Sequence, residues 1–195
     1  MRILAPAALV LTAVSVLVLA WPHGDESQPV ERSFVAEMIP HHHLGMVLLA
    51  DAADHSDDVR LRRLAFEMDS YHSTELDRLD RWADDWSVEP ATEFAGNLPG
   101  VALDELRTAV GTDHDTLWLA LMIEHHVGAI EIAQRTASGS RTEVRKLAAR
   151  IERVQTDQVE QMQELLRELC DEQPDAAGCA PSSNAQRWRR IVNGA

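Results

Sequence analysis

Two histidine pairs, His41-His42 and His125-His126, carry the most chemical promise in the chain, because imidazole both binds borderline metals and changes charge near neutral pH. Each pair follows a methionine: Met38 lies one helical turn before His42 and Met122 one turn before His126. On an α-helix Phe34, Met38, His41, Gly45 and Leu48 form one line, and Val35, Ile39, His42, Met46 and Leu49 form the next, about 100° away. The second pair repeats the pattern with Trp118, Met122, His125, Ala129 and Ile132 beside Leu119, Ile123, His126, Ile130 and Ala133. Four imidazoles are therefore expected on buried stripes. There each ring needs a hydrogen-bond partner or a metal, since an unpaired buried polar group costs about 1–3 kcal/mol.

Adjacent residues on a helix diverge, so a shared ion would take one histidine from each pair. Imidazole with thioether suits copper, above all Cu(I), whereas hard oxygen donors would indicate magnesium, calcium or manganese. The candidate ligands are His41, His42, His125 and His126 with Met38 and Met122. His72, flanked by Met68 and Glu75, is a weaker candidate ligand or an orienting partner. Gly45 and Ala129 would let the backbones approach beside His41 and His125. The competing reading makes the histidines structural hydrogen-bonders and the methionines core filler. His43 is expected to face solvent or the helix edge, and His23, His55 and His114 to sit in linker or helix-end positions; none of the four is given a role.

The elements that must position these residues are helices. A helical pattern starts near Glu31 and breaks at His55 to Asp58; a second runs from Val59 to about Trp86, with its buried stripe at Leu61, Leu64, Ala65, Met68, Leu76, Leu79, Trp82 and Trp86. Pro90, Gly96, Pro99 and Gly100 mark an irregular connector over 87–114, with a short helical piece near Leu103 to Val110 and a stop at Gly111. Asp113 or Asp115 can cap a third long helix from about Thr116 to Ala137, and a fourth spans about Thr142 to Cys170. Four long helices without a credible strand imply an all-α four-helix bundle.

The chain is also duplicated. Residues 34–42 align with 118–126 at a constant offset of 84, and after a one-residue slip His72 stands opposite Gln155, Glu75 opposite Gln158, Leu79 opposite Met162 and Trp82 opposite Leu165. Two helical hairpins, about 31–86 and 115–170 within a domain of 31–172, should then pack about an approximate two-fold axis and bring the histidine pairs together.

With 32 Asp+Glu against 18 Lys+Arg, the net charge of −14 argues against nucleic acid, which needs cationic clusters. Apolar residues at 45% indicate a chain that folds, and aromatics at only 5% tilt it towards helices. Ile3 to Trp21 is a nearly unbroken apolar run, read as a signal peptide or membrane anchor within 1–22, followed by a linker over 23–30. Val18-Leu19-Ala20 suits signal peptidase, no cysteine is present there for lipidation, and either outcome puts the folded part outside the cytoplasm. Cys170 and Cys179, the two cysteines, are expected to form a disulfide that pins the 173–195 tail, which carries Arg187, Arg189 and Arg190. The acidic run Asp80 to Asp85 reads as a solvated face. No Gly-rich phosphate loop and no Gly-x-Ser-x-Gly elbow is present, so nucleotide and acyl-transfer chemistry lack support.

Met38-Ile39-Pro40-His41-His42 and Met122-Ile123-Glu124-His125-His126-Val127-Gly128-Ala129-Ile130, with Asp115 ahead of the second motif and Gln155 and Met162 behind it, resemble the domain of unknown function 305 family over about residues 31–170. The resemblance implies a ferritin-like bundle, usually exported, with copper or silver binding in some members. The chain departs from the family pattern where Leu79 stands opposite Met162 and where Val101 follows Pro99-Gly100, a place often held by methionine; both imply a copper capacity that is reduced or lost. The leading expectation is an extracytoplasmic protein that sequesters or passes on copper without catalytic turnover. A structural or partner-binding bundle without metal is the alternative. A di-metal oxidoreductase needs inward glutamates and two Glu-x-x-His units, for which the chain offers only His72 and Glu75 in reversed order.

Overall fold

The computed structural model describes residues 29–179. The apolar run 1–22, most of the 23–30 linker and the tail arginines Arg187, Arg189 and Arg190 lie outside the described residues. Among the described residues there are five α-helices and no strand: α1 (Pro29–His55), α2 (Val59–Trp86), α3 (Gly100–Thr108), α4 (Thr112–Arg135) and α5 (Thr142–Glu172). A 3₁₀ turn, Ala177–Cys179, follows. None of these helices is long and apolar enough to cross a membrane.

The boundaries follow local chemistry. Pro29, read as linker, belongs to the first turn of α1, where its fixed φ suits a helix and its missing N–H costs nothing. Asp58 caps α2 by accepting from the backbone N–H groups of Arg60 and Leu61. For α4 the expected aspartate cap is replaced by Gly111, at φ 59°, so the helix starts earlier, at Thr112. Asp113 and Asp115 fall inside its first turn, where their charge complements the helix dipole. The short α3 also lies earlier than its sequence pattern indicated, ending at Thr108.

Helix α1 packs on α2 and α4 on α5, and the two hairpins meet mainly through α1 and α4. The predicted stripes are the buried faces: Phe34, Met38, Leu48, Trp118, Met122 and Ile132 are each at most 1% exposed. Of the two lines on α1, only Met46 is partly exposed. The Trp118 indole N–H donates to the Leu48 carbonyl at 2.7 Å and locks the register of α4 against α1. Farther up the bundle, buried Glu31 reaches from α1 to the loop before α5 and accepts from the backbone N–H groups of Ser140 and Arg141. It thereby caps a helix whose own N-cap residue, Arg141, does not cap it through its side chain. Burial alone would raise the Glu31 pKa, but those donors hold it below the ordinary value.

Cys170 and Cys179 form the expected disulfide. It holds the 3₁₀ turn against the start of α4, where Ala177 N–H donates to Asp113 and Gly178 N–H to the Thr116 hydroxyl. A Cβ on Gly178 would stand 2.2 Å from the Thr116 backbone, so this docking requires glycine.

Candidate metal centre

Five histidines meet where the hairpins cross: His41 and His42 from α1, His72 from α2, His125 and His126 from α4, none more than 1% exposed. His43 points to solvent, as expected. The His41 and His125 rings stack at 3.7 Å between centroids and 17° between planes. His72 lies between the other members of the two pairs, 4.8 Å from the His42 ring and 5.7 Å from that of His126. The residue given least weight in the sequence is therefore at the centre of the cluster.

Hydrogen bonds decide which ring nitrogens carry lone pairs, because a carbonyl oxygen can only accept. His41 Nε2–H donates to the His125 carbonyl at 2.9 Å, leaving Nδ1 without a partner. His72 Nδ1–H donates to the Met68 carbonyl and His125 Nδ1–H to the Gly96 carbonyl, each at 3.1 Å; the Nε2 atom of each is buried and unpartnered. Burial holds the pKa of His41 and of His72 well below that of a free imidazole, and the neighbouring histidines add to the shift. By the same causes His125 is pushed down to about 3 and His126 to about 4. These four rings are neutral at pH 7 and present free lone pairs, the form that binds a metal.

Two of those nitrogens lie near one point on α1. A Cβ built on Gly45 would stand 2.9 Å from His72 Nε2 and 3.0 Å from His125 Nε2. Glycine at 45 thus lets the edges of both rings come close to the α1 backbone, with His72 Cδ2 the nearest atom at 2.8 Å. Gln155, the counterpart of His72, is buried with both amide atoms unpartnered. The duplication is visible in bonding: His42 Nε2 lies 3.1 Å from Glu75 Oε2, and His126 Nε2 lies 3.0 Å from Gln158 Oε1. Glu75 is thus the one carboxylate bonded to these five histidines among the described residues, and an amide takes the equivalent place in the second hairpin. A carboxylate-bridged pair of ions has no matched glutamates here.

The methionines relate to the rings through their backbone. The Met38 carbonyl accepts from His42 Nδ1–H at 3.1 Å, just as Met68 does for His72. The side chains of Met38 and Met122 are fully buried in two apolar clusters, Met38 with Phe34, Leu79 and Ile151, Met122 with Leu48, Leu61 and Val159.

The connector covers the stacked pair, which the sequence pattern did not disclose. Pro40 has no N–H to give, so the Ala36 carbonyl is released from the α1 ladder and accepts from Ala91 N–H of the connector at 2.8 Å. Phe94 then meets the His41 ring edge-on at 5.9 Å. Gly96, at φ +79°, crosses α4 at Gly128, where a Cβ would lie 2.3 Å from the Gly96 Cα. This glycine-on-glycine crossing delivers the Gly96 carbonyl to His125. The signal in the chain was a proline immediately before one histidine pair and a glycine after the other.

His55 and His114 lie at helix ends, as the sequence indicated, and belong to a second cluster. His114 is 1% exposed, and its Nε2 lies 2.9 Å from Asp51 Oδ2 while its Nδ1 lies 3.1 Å from Asp115 Oδ1. His55 adds Nδ1 at 3.3 Å from Asp51 Oδ1. Residues that are 59 positions apart in sequence meet because α1 ends where α4 begins.

The family model for the domain of unknown function DUF305 matches residues 31–166. The chain belongs to the DUF305 family. Among solved structures, a DUF305 fragment from Deinococcus radiodurans is 23% identical, with a TM-score of 0.68 over 73% of this chain and 98% of that one. CopM in its Cu(I)-bound form is 25% identical, with a TM-score of 0.64 over 72% of this chain and 98% of that chain. CopM in its Cu(II)-bound form is 26% identical, with a TM-score of 0.62 over 71% and 96%. No curated protein matches. The DUF305 assignment agrees with the resemblance carried by the doubled histidine motif, and the all-helical fold agrees with the expected bundle.

Proposed function

We propose that this DUF305 protein is an extracytoplasmic metal-binding protein that sequesters or hands on copper, taken as Cu(I) between His72 Nε2 and His125 Nε2. The observation that supports the reading is that two buried, unpartnered imidazole nitrogens, His72 Nε2 and His125 Nε2, lie 2.9 and 3.0 Å from one point beside Gly45. Neutral imidazoles suit copper and need no deprotonation on binding. His41, His42 and His126 complete the polar shell, and the thioethers of Met38 and Met122, one turn from His42 and His126, are soft donors for transfer of the ion. CopM, of similar fold, has been crystallised with Cu(I), Cu(II) and silver, which supports the metal class. The extracytoplasmic placement rests on the apolar run at Ile3 to Trp21 and on the Cys170–Cys179 disulfide. A bundle held by hydrogen bonds alone would leave His72 Nε2, His125 Nε2 and the Gln155 amide unsatisfied.

The test is His72→Gln, mild because glutamine already occupies the equivalent position at Gln155. Loss of a ligand should weaken Cu(I) binding by at least the roughly 10–100-fold seen for orienting residues of metal sites. Cu(I) affinity unchanged from wild type in a competition titration would remove His72 from the site.

A further inference from the structure

We infer that Asp51, His55 and His114 form a second cation site, for a divalent first-row transition ion of the zinc type, at the end of the bundle where α1 stops and α4 starts. One ligand atom from each residue, the two imidazole nitrogens and a carboxylate oxygen, lies within 4.8 Å of the others. Among the described residues, no other group of three His, Cys, Asp or Glu side chains approaches this closely. Tetrahedral ligands held 2.0–2.1 Å from an ion stand about 3.3 Å apart, so closing the set needs shifts of about an ångström.

Local structure prepares each ligand. Asp51 and His55 are one turn apart on α1 and share a face, and His55 Nδ1–H donates to the Asp51 carbonyl at 3.1 Å, which leaves the lone pair of that ring on Nε2. His114 sits in the first turn of α4 with Nδ1 3.1 Å from Asp115 Oδ1 and Nε2 2.9 Å from Asp51 Oδ2, so a metal would take the place of the proton between Nε2 and Asp51 while Asp115 keeps its bond to Nδ1–H. A carboxylate behind a histidine in this way is the arrangement that orients and strengthens metal-bound imidazole. The site has a buried side and an open side: His114 is 1% exposed, whereas His55 is 52% exposed, leaving room for water as a fourth ligand. The carbonyl end of α1 favours a cation, and Asp113 and Asp115 offset the positive end of α4. Two imidazoles and a carboxylate are borderline donors, suited to Zn²⁺ and its neighbours rather than to Cu(I), so this site differs in chemistry from the core cluster. It lies at the C-terminal end of α1, well past His41 in the middle of that helix, and does not depend on the copper reading.

The experiment is calorimetric titration of the metal-free full chain with Zn²⁺ alone, followed by Co²⁺ as a spectroscopic stand-in. Wild type and a core variant, His72→Gln with His125→Ala, should each bind one equivalent at this site and show the intense visible bands of tetrahedral Co²⁺. His55→Ala, at an exposed position, should remove that equivalent with the melting temperature unchanged. Asp115→Asn should weaken binding by about 10–100-fold. Zn²⁺ binding that survives His55→Ala intact, or that disappears in the core variant, would overturn the assignment. Octahedral Co²⁺ spectra insensitive to His114→Ala would do the same.

Discussion

Replacing Gly45 with alanine puts the copper reading at greatest risk. The new Cβ would stand 2.8 Å from His72 Cδ2, 2.9 Å from His72 Nε2 and 3.0 Å from His125 Nε2. Ordinary carbon contacts are about 3.5–4.0 Å, so both rings must retreat by about half an ångström or more. Neither is free to do so, because each is tethered through Nδ1–H to a backbone carbonyl, of Met68 and of Gly96, in a packed core. Overpacking of this kind costs about 1–3 kcal/mol. The helix gains about 1 kcal/mol when alanine replaces glycine, so the net loss of stability should be about 0–2 kcal/mol and the fold should survive. Metal binding should suffer far more, since the methyl group displaces both of the rings proposed as ligands. A loss of at least about 100-fold in Cu(I) affinity, equivalent to about 2.7 kcal/mol, is expected. Competition against a chromophoric Cu(I) chelator reads the affinity, and circular dichroism melting reads the stability. Ala129→Gly at the equivalent position of α4 serves as control, with a stability cost of about 1 kcal/mol and unchanged affinity. Wild-type affinity in the Gly45→Ala protein would refute the pairing of His72 with His125 as ligands, and a higher melting temperature with unchanged metal binding would refute the clash itself.

Pro40→Ala should restore an N–H for the Ala36 carbonyl and displace Ala91. Hydrogen exchange at the Ala91 amide should accelerate and Cu(I) release should quicken, while unchanged protection would show that the connector is held without this bond. The metal-free protein should lose stability as pH falls below about 6.5, because unfolded histidines then bind protons that folded His41, His72, His125 and His126 exclude until their own lowered pKa values are reached. The slope is up to about 1.4 kcal/mol per pH unit for each ring, and Glu31 adds a loss in the same direction below its unfolded value of 4.5. Urea midpoints independent of pH between 7.5 and 5 would contradict the buried neutral rings. Reduction of the disulfide, whose cysteines are 9 residues apart, should cost up to about 3 kcal/mol and lower the melting temperature by about 5–10 °C. A reduced protein that melts with the oxidised one would mean that the docked 3₁₀ turn adds nothing to global stability.

Hydrophobic periodicity was enough to place Phe34, His41, His42, Trp118, His125 and His126 on buried faces, because a residue's direction from the helix axis follows from 3.6 residues per turn. The offset between halves likewise paired Glu75 with Gln158, and the folded chain gives both the same duty, bonding a histidine of the motif. Periodicity carries nothing about segments that have no period. The connector residues Ala91, Phe94 and Gly96 therefore read only as irregular chain, although they seal the cluster and hold two of its groups.

What the residue order determined by itself was the helices, their buried stripes, the duplication and the chemistry stored in the histidine pairs. Tertiary structure decided which nitrogens meet. His41 and His125 stack, and it is His72 that joins His125 beside Gly45, since ring torsion is set by whichever carbonyl accepts the opposite N–H. It also decided that the end of α1 stands against the start of α4, which turned His55 and His114 from unrelated helix-end residues into neighbours of one carboxylate. Spacing along a chain fixes distance only within an element, and distance between elements belongs to packing.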